Sequence, residues 1–323
     1  MSHSTIQDIA DKAGVSIATV SYALNGNRGV GEATRQRIKK IAKDIKYKPH
    51  MAAKIVASQS TPMVCGLVDS FSGVFNNELL DAVQDQFQAK GYSLLATNRI
   101  LPDILGSDLF QGVIVFDFNI SPEAQHTVEA LNTPAVFLTN VRTDRSPCVG
   151  MDNQQAIELL YQEISQSKHR RLCILSGHRG SINNQERLAT IKRLYGLNHP
   201  GADVSKHIYN GHFEFKATLQ MGADLLKRYD AFLCFNDDMA MAIYQCAANE
   251  GLVVGRDISV TGFDNSPISH GAIPGLTTVE FDVHQWAKLI VDRFAKLVDM
   301  PQPSSTLTLV PPHLIRRESI AYA

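Results

Sequence analysis

The sequence predicts an N-terminal all-α helix-turn-helix headpiece followed by an α/β body of two doubly wound parallel-sheet lobes. Three observations carry that expectation. Residues 5–25 (TIQDIADKAGVSIATVSYALN) read as two short helices around a tight turn. From residue 61 onward, short apolar runs alternate with amphipathic stretches, the pattern of repeated β-α units. Charge also divides along the chain. Residues 1–60 hold ten Lys or Arg against four Asp or Glu, a net of +6 in a chain whose total is −1, so residues 61–323 carry −7. That asymmetry suits a nucleic-acid-binding headpiece on a mildly acidic body, and the near-neutral total conceals it.

The headpiece elements follow from local chemistry. Ile6, Ile9, Ala10, Val15, Val20 and Leu24 are spaced to meet in one small core. Gly14 sits where the first helix must stop and the backbone needs φ > 0. Ser16 sits where the second must start, as an N-cap. A third helix covers 31–47, with Ile38, Ile41 and Ile45 as its apolar stripe and Arg35, Arg37, Lys39, Lys40, Lys43 and Lys46 around the rest. Lys48-Pro49 ends it. A helix-turn-helix lays its second helix in the major groove of DNA. Thr5, Ser16, Thr19 and Asn25 offer short polar groups suited to phosphate oxygens. Ile17 and Ala18 have no side-chain hydrogen bond to give, so their use is apolar contact, for example with a thymine methyl. Partial burial is the competing reading for Ile17.

In the body, buried strands are expected at 63–69, 92–97, 113–117 and 135–139, then at 171–177, 207–211, 231–237 and 258–264. Helices are expected around 77–90 and 122–132, then near 153–167, 184–195, 215–228 and 238–250. About 260 residues is large for one core, which argues for two lobes with a ligand between them at the strand C-terminal ends. A helix over 283–298 places Val283, Trp286, Ala287, Ile290, Phe294 and Leu297 on one stripe. Residues 301–305 read as a loop, and 306–317 as a final strand with a Pro-Pro break.

The pattern from Thr5 to Asn25, then Val30-Gly31-Glu32-Ala33-Thr34-Arg35, Tyr47-Lys48-Pro49 and Ala52-Ala53 closely resembles the LacI/GalR family of bacterial transcription regulators, nearly end to end. The resemblance implies a headpiece over 1–49, a hinge helix and linker over 50–60, and a periplasmic-binding-protein-like effector-binding and dimerisation body over 61–323. It implies a homodimer on a near-palindromic double-stranded operator, controlled by a small effector. Ile17, Ala18 and Tyr22 match the base-reading positions, with Thr19 and Ser21 between them. Val56 matches the apolar wedge of the hinge, where most members have Leu, and Ala53 and Lys54 flank it. In the body, Arg187, Asp264, Asn236 and Phe213 match effector-contacting positions, and Asp152 and Phe75 are weaker matches. Structural ion pairing competes for Arg187 and Asp264, and core packing for Phe213. Sugars are the implied effector class ahead of purine nucleobases. His212 stands where an acidic residue is common, and Ala217-Thr218 where Ser-Gly is frequent.

Other classes find less support. No leader and no apolar run long enough for a bilayer is present, so a cytoplasmic, membrane-free protein is expected. Five Cys form no C-x-x-C pair and read as reduced core residues; the eleven His show no metal-ligand spacing, and no cofactor motif appears. No activated nucleophile or acid-base pair is recognisable, which argues against an enzyme. A sugar-binding receptor of the transport type and a regulator controlled by a corepressor protein are the remaining alternatives.

Overall fold

The computed structural model describes residues 4–24, 29–45, 47, 63–71, 74–131, 133–300 and 305–322. The chain divides into two compact units, Met1–Thr61 and Pro62–Ala323. Asn25, Lys48, Pro49 and the expected hinge residues Ala53, Lys54 and Val56 lie outside the described residues.

Among the described residues, the first unit holds three helices: α1 (Ile6–Ala13), α2 (Ile17–Leu24) and α3 (Glu32–Asp44). Thr5 and Asp8 form a capping box at the start of α1, Thr5 N donating to the Asp8 carboxylate at 2.7 Å. Gly14 closes α1 at φ 62°, the left-handed conformation expected of it. Ser16 Oγ accepts from Thr19 N at 3.1 Å and starts α2. Ile9, Ala10, Ala13, Val20, Ala23, Ile38 and Ala42 form the core. Two of the basic residues around α3 also bond to backbone within the unit. Arg37 donates to Ala13 O at 2.8 Å and Arg35 to Ala23 O at 3.1 Å. Each guanidinium thus satisfies a carbonyl at a helix C-terminus, where the dipole favours a cation.

The second unit contains two parallel sheets. The first runs in the order β11 (Leu307–Val310), β5 (Cys148–Met151), β4 (Ala135–Phe137), β3 (Val113–Phe116), β1 (Met63–Val68), β2 (Ser93–Thr97). The second runs β7 (Ile208–Asn210), β6 (Leu172–Ser176), β8 (Ala231–Cys234), β9 (Ser259–Thr261). Around the first lie α4 (Val74–Ala89), the short α5 (Pro102–Leu105), α6 (Pro122–Ala130) and α12 (Val283–Asp299). Around the second lie α7 (Asn153–Ser165), α8 (Ile182–Asn198), α9 (Phe215–Leu226), α10 (Asp237–Asn249) and the short α11 (Pro267–His270). Strand β1 lies between β2 and β3, and β6 between β7 and β8, so each sheet reverses its winding there, and the crevice beyond those strand ends is where such sheets take ligands.

The chain passes between the lobes three times. The first passage is β5 to α7. The second joins β10 (Thr278–Phe281) to α12, which packs on α4. The third is Pro311, between β11 and β12 (Pro312–Ile315). The single strand expected over 306–317 is therefore two strands: β11 extends the first sheet, and β12 pairs antiparallel with β10. Pro311 lacks the N–H to continue one ladder, so the Pro-Pro break marks a change of sheet. Strand β5 was not expected; its four residues, CVGM, are too few to show a period. All five Cys are buried and unpaired. No described helix is long and apolar enough to cross a membrane.

Candidate functional site

On the headpiece, α2 presents an open face. Ile17 is 44% exposed and Tyr22 50%, and Ala18 is exposed beside them. Ile17 is thus not a core residue. Thr19 and Ser21 are half-buried. The hydroxyls of Thr5 and Ser16 are engaged in the helix caps, Thr5 Oγ1 lying 2.9 Å from the Asp8 carboxylate and Ser16 Oγ 2.9 Å from Thr19 Oγ1.

In the body, a cleft of about 660 Å³ opens beyond the strand ends. Phe75, Arg187, Phe213, Asn236 and Asp264 all line it, as do Asp69, Phe118, Asn183, Asp237 and Asp238. Asp152 is the exception among the expected residues. Its carboxylate accepts from Gln155 N at 2.9 Å as the N-cap of α7, and it faces a neighbouring cavity with Glu158 and Glu186.

Arg187 is 3% exposed and is built into the wall. Its Nε donates to Asn153 Oδ1 at 2.8 Å, one terminal nitrogen donates to Phe235 O, and the other lies 3.6 Å from Met151 Sδ. The guanidinium stacks on the Phe263 ring, 3.4 Å from its centroid, and lies 5.9 Å from that of Phe213. Burial lowers its pKa to about 10, against the pull of Asp264 and Glu186. Asn153 continues the network to Glu186 at 2.8 Å, and Glu186 accepts from Asn140, which bonds both backbone groups of Met151 in β5. A polar chain therefore runs from the cleft to the first passage between lobes. Asn183, Asn153 and Glu186 were invisible as site residues in the sequence, because nothing in their spacing places them beside Arg187.

The strand ends shape the carboxylates. Asn236 caps α10 through Met239 N at 3.0 Å, and its amide donates to Phe213 O at 2.9 Å. This holds His212 and Phe213 at φ 58° and 61°, left-handed conformations that cost about 1–3 kcal/mol each at non-glycine residues. Asp264 and Asn265 are similarly held at φ 106° and 51°. Asp237 is 1% exposed and accepts from Thr278 Oγ1 at 2.8 Å and from Ser266 N and Oγ at 2.7 and 3.0 Å. Burial pushes its pKa up to about 6, while those hydrogen bonds pull it down. Burial pushes Asp264 up to about 8; Arg187 offsets part of this, and Asp237 and Asp238 add to it. Asp264 makes no ion pair within 4.0 Å among the described residues, so the proposed pairing with Arg187 is not formed.

Phe213 needs Gly177 beneath it, since a Cβ there would overlap its ring. Gly177→Ala should displace Phe213 and cost about 1–3 kcal/mol by overpacking. Chemical denaturation checks this, and Phe213→Leu in the same chain should restore part of the loss by freeing the space.

Comparisons with known proteins bear on both units. Residues 5–50 match the model of "Bacterial regulatory proteins, lacI family", and residues 161–320 that of "Periplasmic binding protein-like domain". Catabolite control protein A of Priestia megaterium is 26% identical over 330 residues, covering 98% of each chain. The HTH-type transcriptional repressor PurR of Vibrio atlanticus is 27% identical over 289 residues, covering 85% of this chain and 86% of that one. Among solved structures, the lac repressor dimer bound to operator and the anti-inducer ONPF matches with a TM-score of 0.81 at 24% identity, covering 99% of this chain and all of that one. The cellobiose complex of the regulator CelR matches at a TM-score of 0.69 and 21% identity, over 98% of this chain. These two likenesses speak for the fold. With a capped helix-turn-helix unit, a bilobed body and these matches together, the chain belongs to the lacI family of bacterial regulatory proteins and is a DNA-binding transcription regulator.

Proposed function

We propose that this regulator is a repressor that binds a near-palindromic operator as a homodimer and releases or grips it in response to a small polar effector in the cleft. The observation that carries the effector reading is that Arg187 and Asp264 line one cleft without pairing to each other. A crevice walled by rings, with a carboxyl at Asp264 that no neighbour engages, is the usual form of a small-molecule site. Ile17, Ala18 and Tyr22 read base edges; Thr5, Ser16, Thr19, Ser21 and Asn25 set the register on phosphates. Ala53, Lys54 and Val56 belong to a hinge over 50–60 that contacts the minor groove, between a headpiece over 1–49 and a body over 61–323. The protein works in the cytoplasm. Two lobe arrangements differ in affinity for the effector, and that difference sets how far DNA binding shifts. A lac repressor solved as a dimer on operator with an anti-inducer supports the assembly.

Gel shift and footprinting with genomic fragments test this reading. The expected result is a two-fold symmetric protected site whose affinity falls steeply with salt, since Lys39, Lys40 and Lys43 lie on the headpiece surface. A chain lacking residues 1–61 should lose the shift. Protection of no symmetric site, with or without sugars and nucleobases, would overturn the proposal.

A further inference from the structure

We propose that α8 is a latch between the lobes: Asn140 fixes it to the first lobe beside the first passage, and Asn119 catches its N-terminus across the cleft. The inference rests on the reading of two lobe arrangements above and assigns the residues that hold one of them. Three hydrogen bonds cross between the lobes among the described residues, and all three end on α8. Ile182 N donates to Asn119 Oδ1 at 3.3 Å, Asn140 Nδ2 donates to the Glu186 carboxylate at 2.5 Å, and a terminal nitrogen of Arg187 lies 3.6 Å from Met151 Sδ. No ion pair crosses between the lobes among those residues. Ile182 and Glu186 are four apart, so the two asparagine contacts fall on one side of the helix.

The two ends of the latch differ in strength. Asn140 is buried in a seat of its own: its Nδ2 also donates to Met151 O at 2.7 Å, and its Oδ1 accepts from Met151 N at 2.8 Å. Gly150 makes the room, since a Cβ there would overlap Asn140 Oδ1. Glu186 is gripped from its own lobe as well, by Asn153 at 2.8 Å. This end is a fixed point. Asn119 is exposed, and its 3.3 Å contact lies beyond the usual range of about 2.7–3.2 Å. Ile182 lies one turn from Glu186, roughly 6 Å along the axis. A rotation about the Asn140 end therefore moves the Ile182 end furthest, and the catch parts first.

The catch is also part of the cleft wall, where Asn119 lies with Ser181 and Asn183. A ligand that engages this wall meets the catch directly. Every donor and acceptor in the latch belongs to the chain, so it operates without a ligand. One exposed hydrogen bond contributes little net stability, which keeps the two arrangements close enough for a ligand to exchange them.

The test uses the full-length protein with no added ligand. Spin labels are placed through His126→Cys in α6 and Lys192→Cys in α8, both exposed; all five native Cys are buried, so labelling is selective. Dilution with unlabelled chain leaves one labelled copy per dimer, and pulsed dipolar spectroscopy reads the distance between lobes. The parent should show one dominant distance. Asn119→Ala should move population to longer distances, lowering the closed-to-open ratio about two- to tenfold. Gly150→Ala, which displaces Asn140 but keeps its amide, should broaden the distribution. Asn198→Ala, at the far end of α8, should leave it unchanged. An unchanged distribution in Asn119→Ala or in a folded Gly150→Ala overturns the proposal, as does an equal shift in Asn198→Ala; Asn119→Ala, at an exposed site, decides the matter where Gly150→Ala folds poorly. Footprinting with the same preparations separates the two readings: if the distances shift while DNA affinity stays constant, the latch stands and the coupling of lobes to DNA falls.

Discussion

Arg187→Ala should abolish the ligand response and destabilise the body by about 3–5 kcal/mol, the cost of breaking a buried, hydrogen-bonded charge network. The side chain is buried, stacked on Phe263, and bonded to Asn153 and Phe235 O. Alanine leaves both acceptors without their donor and a void over the ring. It also removes the one guanidinium among the cleft's carboxylates, so Asp264 should take up its proton still more readily. Arg187→Lys retains a charge but loses the planar fork and the stacking, so it should recover only part of the stability. Urea denaturation measures the first effect and ligand-dependent thermal shift the second. An alanine variant with an unchanged midpoint and an intact ligand response would contradict this account. Because Asn153 links Arg187 to Glu186 and Asn140, Asn140→Ala should weaken the response without touching the cleft.

Raising the pH from about 4 to 8 should progressively destabilise the body, and Asp237→Asn should flatten that dependence. Asp237 is pushed up to about 6 and Asp264 to about 8 in the folded chain, chiefly by burial, from an ordinary value of 3.8. A folded state that holds a proton which the unfolded chain releases loses stability as pH rises. The contribution is therefore complete below about 3.8 and disappears as the pH passes through 6 for Asp237 and 8 for Asp264. A shift of roughly two units corresponds to up to about 3 kcal/mol for Asp237 above its folded value. Asparagine can keep the acceptor for Ser266 and turn its amide toward Thr278 Oγ1, so the variant should equal or exceed the parent at pH 8 and lose its advantage near pH 4. Thermal melts across that range decide it, and parallel slopes for parent and variant would exclude Asp237 as the source.

The sequence was enough for those elements whose cause is local. Gly14, Ser16 and the apolar spacing from Ile6 to Leu24 define the headpiece, because caps and turns act within a few residues. The alternation in the body announced two sheets with a crevice at their strand ends, and Phe75, Arg187, Phe213, Asn236 and Asp264 do meet there. Tertiary structure alone decided the rest. It turned Arg35 and Arg37 onto helix carbonyls, made Asp152 a helix cap facing another cavity, and split 307–315 between sheets at Pro311. It also left Arg187 and Asp264 apart and buried Asp237 beneath Thr278 and Ser266. These outcomes depend on partners many residues away in the chain. Charge, burial and hydrogen-bond supply at such positions are properties of the packed surroundings, and no residue type or spacing encodes them by itself.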